Sequence, residues 1–222
     1  MSGASLPRLF RAAWPSLPAL LAGSVAVCAG AAATALTGPG LTPISVAAAA
    51  VLIGAPLAAL VHLAVRMWHG EEPTVRDWLG CLRSAPARGV AVTAVPAGIA
   101  ALTLVSLEVW AQSRQAWVLV PLALGGALTV VTGLGACVAL PLALHRPELR
   151  GAPLWAGALH LVARNPVRVL AVPAVAVLAA QAATGLTASL LLLFPAPLAL
   201  VMVAAAFTST TSAQPTMGRT TR

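Results

Sequence analysis

One acidic side chain stands apart in this sequence because it lies inside a long apolar stretch. Glu108 is one of only five acidic residues, and Gln112 follows it one helical turn later. A carboxylate inside a membrane-spanning helix is costly, so Glu108 is a candidate for a solute-linked or proton-linked role. It also lies within about one turn of the end of its stretch, where water can hydrate it. A transport group and a hydrated surface group are both open interpretations.

A second set of polar side chains shares one face of a predicted helix. His62, Arg66 and His69 follow one another at spacings of four and three residues. Imidazole and guanidinium groups together suit an anion such as phosphate or a lipid headgroup. The simpler alternative is that these long side chains reach from an apolar helix to the water. His160 and Arg164 repeat the arrangement further along the chain.

The sequence shows none of the patterns that support catalysis or cofactor binding. It has no glycine-rich phosphate loop, nucleophile elbow, paired carboxylates or metal-ligand cluster. Cys28, Cys81 and Cys137 are too widely spaced for a zinc site, and three cysteines do not form a disulfide framework. We therefore expect no enzymatic activity, no cofactor and no metal.

Composition indicates a membrane protein. Hydrophobic residues make up 59% of the 222 residues and charged residues only 8%, too few for a soluble surface. The mean hydropathy is +0.93. The formal charge of +8 comes from arginine alone and is confined to connections between apolar segments. Membrane insertion and anionic lipid explain this charge, so we expect a lipid bilayer and no nucleic acid as partner.

Six apolar segments are predicted to cross the membrane, because each is near the roughly 20 residues that a span requires. Twelve of the 13 arginines lie before the first segment, after the second, after the fourth or after the sixth. Cationic connections stay in the cytoplasm, which predicts a bacterial plasma-membrane protein with both termini inside. The predicted spans are 17–36, 44–66, 89–111, 117–144, 167–185 and 187–207. The fold class is an all-α polytopic bundle, a single domain over 1–222 with cytoplasmic tails at 1–16 and 208–222, the latter disordered.

The first segment has an alternative interpretation as a cleaved signal peptide. Arg8 and Arg11 precede an apolar run that ends in small residues. The apolar core is longer than a signal peptide usually has, and cleavage would leave five spans with a new terminus outside. We expect this helix to be retained.

The connection at 71–88 carries the clearest local pattern. Thr74 and Asp77 form a predicted capping box, and Val75, Trp78, Leu79 and Leu82 recur at helical spacing. This pattern predicts an amphipathic elbow helix lying on the inner membrane surface. A weaker copy follows, since the spacing of Trp78, Gly80 and Leu82 recurs at Trp155, Gly157 and Leu159. The chain is therefore predicted to contain two parallel repeats of span, elbow and span.

Small residues and prolines recur within the predicted spans. Ridges of small residues at every fourth position predict close helix packing; they comprise Ala22, Ala26, Gly30 and Thr34 in one span and Gly125, Thr129 and Gly133 in another. Prolines lie inside five of the six spans. They favour either kinked packing or the broken helices that line transporter sites, and we expect kinked packing because no buried charge accompanies them.

The elbows carry a resemblance to a known family. The residues Gly54-Ala55-Pro56, Val65-Arg66-x-Trp68, Gly70-Glu71-Glu72 and Val75-Arg76-Asp77-Trp78 resemble the signature stretch of the YesL-like bacterial membrane proteins. Leu140-Pro141-Leu142 and Arg164-Asn165-Pro166 are similar to that family's second half. The resemblance covers roughly 44–175 and implies that Gly54-Ala55-Pro56 can begin a helix.

The resemblance also shapes the expected function, although the family has no established molecular activity. It implies an accessory or assembly component linked to carbohydrate uptake, with membrane subunits of a sugar transporter as partners. The alternative is a small-solute carrier built on the two repeats. The candidate functional residues are Glu108, His62, Arg66, Gly70, Glu71, Arg76, Asp77, Trp78, Asn165 and Pro166.

Overall fold

The computed structural model describes residues 14–37, 40–84, 86–185 and 190–211, and the elements in these ranges are helices. They are α1 (Leu17–Leu36), α2 (Pro43–Leu52), α3 (Gly54–Trp68), α4 (Val75–Ser84), α5 (Pro86–Ser113), α6 (Leu119–His145), α7 (Ala152–Arg164), α8 (Pro166–Gly185), α9 (Leu190–Leu193) and α10 (Pro195–Thr211). A short 3₁₀ turn, Ala116–Val118, leads into α6. The all-α prediction is confirmed, and most of both predicted tails lies outside the described residues.

Four helical segments are long and apolar enough to cross a membrane: Leu17–Leu36, Pro43–Trp68, Pro86–Ser113 and Ala116–His145. The pair formed by α7 and the first part of α8, bent by 95°, makes a fifth if it counts as one span. The predicted span 167–185 corresponds to α8. The predicted span 187–207 starts partly outside the described residues, and the structure divides the remainder into α9 and α10 at Phe194. Within α10, Pro195–Phe207 is a shorter apolar helix.

Proline marks where several helices begin. Pro43, Pro86, Pro166 and Pro195 are each the first residue of a helix. The missing N–H of proline is no loss in a first turn, where that donor has no partner within the helix. At α2 the start is reinforced by a capping box, in which the Ser45 N–H donates to Thr42 Oγ1 at 3.1 Å.

The predicted span 44–66 corresponds to the apolar segment Pro43–Trp68, in which the helix is interrupted at Ile53 and α3 begins at Gly54. Such a break leaves backbone carbonyls at membrane depth in need of donors. Thr93 of α5 lies against the break, with its Oγ1 2.9 Å from the carbonyl oxygens of both Ala50 and Gly89. A side chain at Gly54 would collide with Thr93, so glycine at this position allows α5 to pack against the break.

The packed core surrounds α3, which contacts α1, α4, α5, α6 and α10. Leu60, Val61 and Leu63 of α3 are completely buried. Buried residues also concentrate in the first half of α1, the first turns of α5 and the last turns of α6. We call this end of the bundle, which carries Arg66, Arg88 and Arg146, the arginine-rich end.

The small-residue ridges form helix contacts at some positions and not at others. Gly30 of α1 lies so close to the Leu52 carbonyl that a Cβ there would collide with it. A Cβ on Gly125 of α6 would lie 2.6 Å from Thr103 Oγ1 of α5. Gly133, by contrast, has nothing within 4 Å of a Cβ position among the described residues. The packing interpretation therefore holds at Gly30 and Gly125 but not at Gly133.

Candidate functional site

Several predicted site residues meet where α3 ends, in a group that we call the Arg66 corner: Arg66, Gly70, Glu71, Thr74 and Asp77. The backbone closes with a Schellman motif, in which the Gly70 N–H donates to the Met67 carbonyl at 3.0 Å and the Glu71 N–H to the Arg66 carbonyl at 3.1 Å. Gly70 adopts φ +84°, a left-handed conformation that favours glycine. Its role in the structure is to turn the chain towards α4.

Ion pairs and hydrogen bonds connect the residues of the Arg66 corner. Arg66 Nε lies 2.6 Å from Glu71 Oε2, and Arg66 Nη1 lies 3.2 Å from Asp77 Oδ1. Asp77 Oδ2 also accepts hydrogen bonds from the Thr74 N–H at 2.8 Å and from Thr74 Oγ1 at 2.7 Å. The Asp77 N–H in turn lies 3.4 Å from Thr74 Oγ1, which completes the predicted capping box.

The same contacts fix the charge state of the Arg66 corner. Hydrogen bonds from the backbone and hydroxyl of Thr74, and then the Arg66 guanidinium, lower the pKa of Asp77 to about 2. One guanidinium therefore faces two carboxylates. An anionic ligand would have to displace one of these carboxylates from Arg66. The contacts of Arg66 therefore connect α3 to α4 and leave little positive charge to bind a ligand.

His62 lies one turn before Arg66 and is half buried. Its Nδ1 is enclosed and has no hydrogen-bond partner within the described structure. Arg66, Glu71 and Arg88 are close enough to influence it electrostatically. The predicted face is therefore only partly formed. His62 and Arg66 lie near each other, but the His69 side chain points towards α6.

Trp78 of α4 is buried in the bundle, with only 7% of its surface exposed. It packs with Ala19 of α1 and with Ala59 and Leu63 of α3. Cys81, one turn further along α4, lies in the same cluster, and burial raises the pKa of its thiol. Helices α1 and α3 cover Trp78, whereas Val75 and Leu79 of the same predicted face are 38% and 44% exposed. The position of α4 at the inner membrane surface stays a prediction.

In the second elbow, α7, the tryptophan of the repeated motif also packs against another helix. A Cβ on Gly135 of α6 would lie 3.0 Å from the Trp155 ring. In the first elbow, a Cβ on Gly23 of α1 would lie 3.2 Å from Trp78 Nε1. Each tryptophan of the repeated motif thus lies against a glycine, but the glycines belong to α1 and α6, which are not equivalent in the predicted repeats.

Asn165 and Pro166 form the sharp bend between α7 and α8. Asn165 caps α7, with its N–H 3.1 Å from the Leu161 carbonyl, and Pro166 begins α8. The Asn165 side-chain nitrogen Nδ2 is enclosed and has no hydrogen-bond partner within the described ranges. These two residues therefore redirect the chain by 95°.

Glu108 and Arg76 lie apart from these groups. Glu108 is exposed in the last turns of α5, and Arg76 is exposed on α4. At the same end of α5, the Arg114 guanidinium lies 5.1 Å from the centre of the Trp110 ring. The described part of the chain therefore does not enclose Glu108, and both interpretations of this residue stay predictions.

Sequence reasoning missed a cluster of rings at the arginine-rich end, which we call the imidazole cluster: Trp68, His69, His145 and Phe207. The His69 and His145 rings stack with centroids 5.3 Å apart and planes inclined by 16°. Phe207 meets both imidazoles edge-on, at 6.1 and 5.0 Å, and stacks on Trp68 at 5.9 Å. A signal was present, since His69 directly follows, and His145 ends, a helix that precedes an elbow.

No protein-family model, curated protein or solved structure matches the chain. The resemblance to the YesL-like proteins therefore rests on the quoted motifs alone. Among the described residues, no group of three or more histidine, cysteine or acidic side chains is placed to hold a metal ion.

Proposed function

We propose that the protein is a multi-pass protein of the bacterial plasma membrane that acts as an accessory or assembly component linked to carbohydrate uptake. In this proposal it has six spans, both termini and the arginine-rich end face the cytoplasm, and it catalyses no reaction. The four long apolar helices, with the bent α7–α8 pair as a fifth, support the membrane assignment. The YesL-like motifs supply the link to carbohydrate uptake and to sugar-transporter subunits.

The observation that carries the accessory role is the exposure of the hairpin formed by α5 and α6. Of the most apolar 18-residue stretch of α5, only 6% is buried by the rest of the chain. Leu102 of α5 and Val130 of α6 are 70% and 61% exposed. Gly98 of α5 and Gly126 of α6 have no atom within 4 Å of a Cβ position in the described part of the chain. A helix of another membrane protein can approach such a surface closely.

Two further features favour an accessory role over solute transport. The guanidinium of the Arg66 corner is paired with two carboxylates, and these contacts connect α3 to α4. A cleft of about 400 Å³ between α1 and α2 is lined mostly by alanine and aliphatic residues. Its two hydroxyl groups, Thr34 and Ser45, bond to nearby backbone groups, so the cleft offers little to a polar solute.

The second candidate is a small-solute carrier built on the two repeats. It is favoured by the helix break at Ile53 and the 95° bend after α7, since discontinuous helices form binding sites in many transporters. Two enclosed polar atoms without partners in the described structure, His62 Nδ1 in α3 and Asn165 Nδ2 at the bend, could contact a solute.

The accessory role is tested by placing a photo-crosslinking amino acid in living cells at Leu102 or at Val130. Leu178 of α8, which is 69% exposed, is the matched control on another apolar surface. We expect a discrete adduct with a second membrane protein from Leu102 and Val130, and none from Leu178. Adducts with lipid alone at all three positions would contradict docking on the hairpin.

The carbohydrate link is tested separately by measuring uptake of labelled sugars in cells that lack the chain. We expect uptake of at least one sugar to fall and to return when the gene is restored. A carrier would also transport that sugar when purified and reconstituted alone into vesicles, whereas an accessory protein would not.

A further inference from the structure

The imidazole cluster joins three helices that are far apart in sequence. His69 follows the end of α3, His145 ends α6, and Phe207 lies in α10. Their rings are in mutual contact, and Trp68 extends the group by stacking on Phe207. The cluster therefore connects the helix before the first elbow, the helix before the second elbow and the last helix of the bundle.

The hydrogen bond of His69 determines which of its nitrogens can take up a proton. His69 Nδ1 lies 2.8 Å from the Val65 carbonyl oxygen, and a carbonyl oxygen can only accept. Nδ1 therefore carries a hydrogen in the neutral ring, and Nε2 is the atom that is protonated on acidification. Protonation of His69 leaves this hydrogen bond intact, so it changes the charge of the stack without a direct change in the position of the ring.

Among the described residues, few charged groups can compensate for a second proton on the stacked rings. Beside His145, Arg146 and Glu148 offer one charge of each sign. On the side of His69, the carboxylates of Glu71 and Asp77 are both paired with Arg66. The α10 segment Pro195–Phe207 contains no titratable side chain. Two imidazolium ions with centroids 5.3 Å apart would therefore repel each other, and nearby charges would offset little of this repulsion.

We infer that the His69–His145 stack is a pH-sensitive latch that holds the ends of α3, α6 and α10 together while no more than one of its rings is protonated. Acidification of the compartment at the arginine-rich end opens the latch. This inference stands independently of the proposed function and of the direction in which the chain is inserted.

The sign of the pH dependence follows from proton linkage. A free imidazole titrates near pH ~6.5. The stacked pair takes up its second proton less readily than two separated rings do, because the first charge opposes it. The open form therefore binds more protons below pH ~6.5, and the closed form loses stability as the pH falls.

The test uses the full chain in lipid nanodiscs, with thermal unfolding measured between about pH 8 and about pH 5.5. We expect the Tm of the parent to fall by roughly 3–6 °C over this range. His145→Phe keeps an aromatic ring in the stack and cannot be charged, so most of the fall should disappear. His160→Gln, which removes an exposed histidine of α7, should behave as the parent. If His145→Phe does not fold, His145→Gln gives the same comparison.

Histidine-ring NMR provides an independent readout. We expect magnetisation transfer between the stacked His69 and His145 rings in the parent at about pH 8, and its loss at about pH 5.5 when the latch opens. Transfer between the two rings that persists at about pH 5.5, or an equal fall of Tm in the parent and His145→Phe, would overturn the latch.

Discussion

Gly23 of α1 provides the space that the Trp78 indole of α4 occupies. A Cβ at Gly23 would lie 3.2 Å from Trp78 Nε1 and 2.6 Å from Leu60 Cδ1. Leu60 is completely buried and Trp78 nearly so. The first elbow is therefore held by direct contact with two long helices, which makes α4 part of the bundle and not a detachable surface helix.

Replacing Gly23 by leucine should destabilise the protein by forcing Trp78 and Leu60 apart. Overpacking of a core typically costs about 1–3 kcal/mol. For a chain of this size, that corresponds to a Tm lower by roughly 2–12 °C. Thermal unfolding in nanodiscs measures the change, with Gly133→Leu as the matched control in a helix position that is open in the described structure. Equal Tm values for the two variants would contradict the assigned position of Trp78.

Asp77→Asn should remove one acid-sensitive contribution to stability. The pKa of Asp77 is about 2, below the ordinary value of 3.8, so its ionised form stabilises the fold above the ordinary value. That contribution is lost as the pH falls from about 4 towards about 2. Tm measured against pH should therefore fall less steeply in Asp77→Asn than in the parent, whereas Glu72→Gln, which changes an exposed carboxylate of the same connection, should follow the parent. Parallel profiles for all three proteins would argue against the contacts of Asp77 with Thr74 and Arg66.

Thr93→Val should weaken the contact between α5 and the helix break at Ile53. The substitution preserves shape but removes the hydroxyl that lies 2.9 Å from the Ala50 carbonyl. Hydrogen bonds between membrane helices contribute about 0.5–1.5 kcal/mol, so a fall in Tm of a few degrees is expected. Thr132→Val is the control, because the Thr132 hydroxyl bonds within its own helix, at 2.6 Å from the Leu128 carbonyl. A larger effect from Thr132→Val would contradict this explanation of the break.

Helix positions could largely be predicted from the sequence, because long apolar runs flanked by arginine have few alternatives in a membrane. The predicted span 117–144 corresponds to Ala116–His145, and 17–36 to Leu17–Leu36. The break at Ile53 could not be placed this way, because Ile53 itself fits a helix. The motif Gly54-Ala55-Pro56, which the resemblance marks as a possible helix start, does lie at the break, and the Thr93 hydroxyl of another helix lies 2.9 Å from the Ala50 carbonyl beside it.

The candidate sites were less predictable, because they depend on which surface covers each side chain. Helical spacing predicts an apolar face on α4, but it does not distinguish lipid from α1 as the surface that covers Trp78. The Thr74–Asp77 cap is local, and its prediction is confirmed. The His69–His145 stack joins residues far apart in sequence, and no local pattern specifies their contact.

Glu108→Gln should leave sugar uptake almost unchanged. Glu108 is exposed in the last turns of α5, so the described part of the chain does not enclose its carboxylate in a solute site. The substitution changes neither length nor shape appreciably, and a large effect would therefore report on charge. Uptake of labelled sugars is compared in cells with parent and variant at matched membrane abundance. Loss of uptake at normal abundance would favour the carrier over the accessory protein.

A multi-pass chain with its arginine-rich end in the cytoplasm is tested most directly by reporter fusions along the sequence. Alkaline phosphatase, active only outside the cytoplasm, and a fluorescent protein, bright only inside it, are fused in separate strains after Gly40, Gly80, Arg114, Arg150 and the final residue. We expect Gly40 and Arg114 to report the periplasm, and the other three positions to report the cytoplasm. Gly80 and Arg150 in different compartments, or a periplasmic C-terminus, would contradict the proposed arrangement.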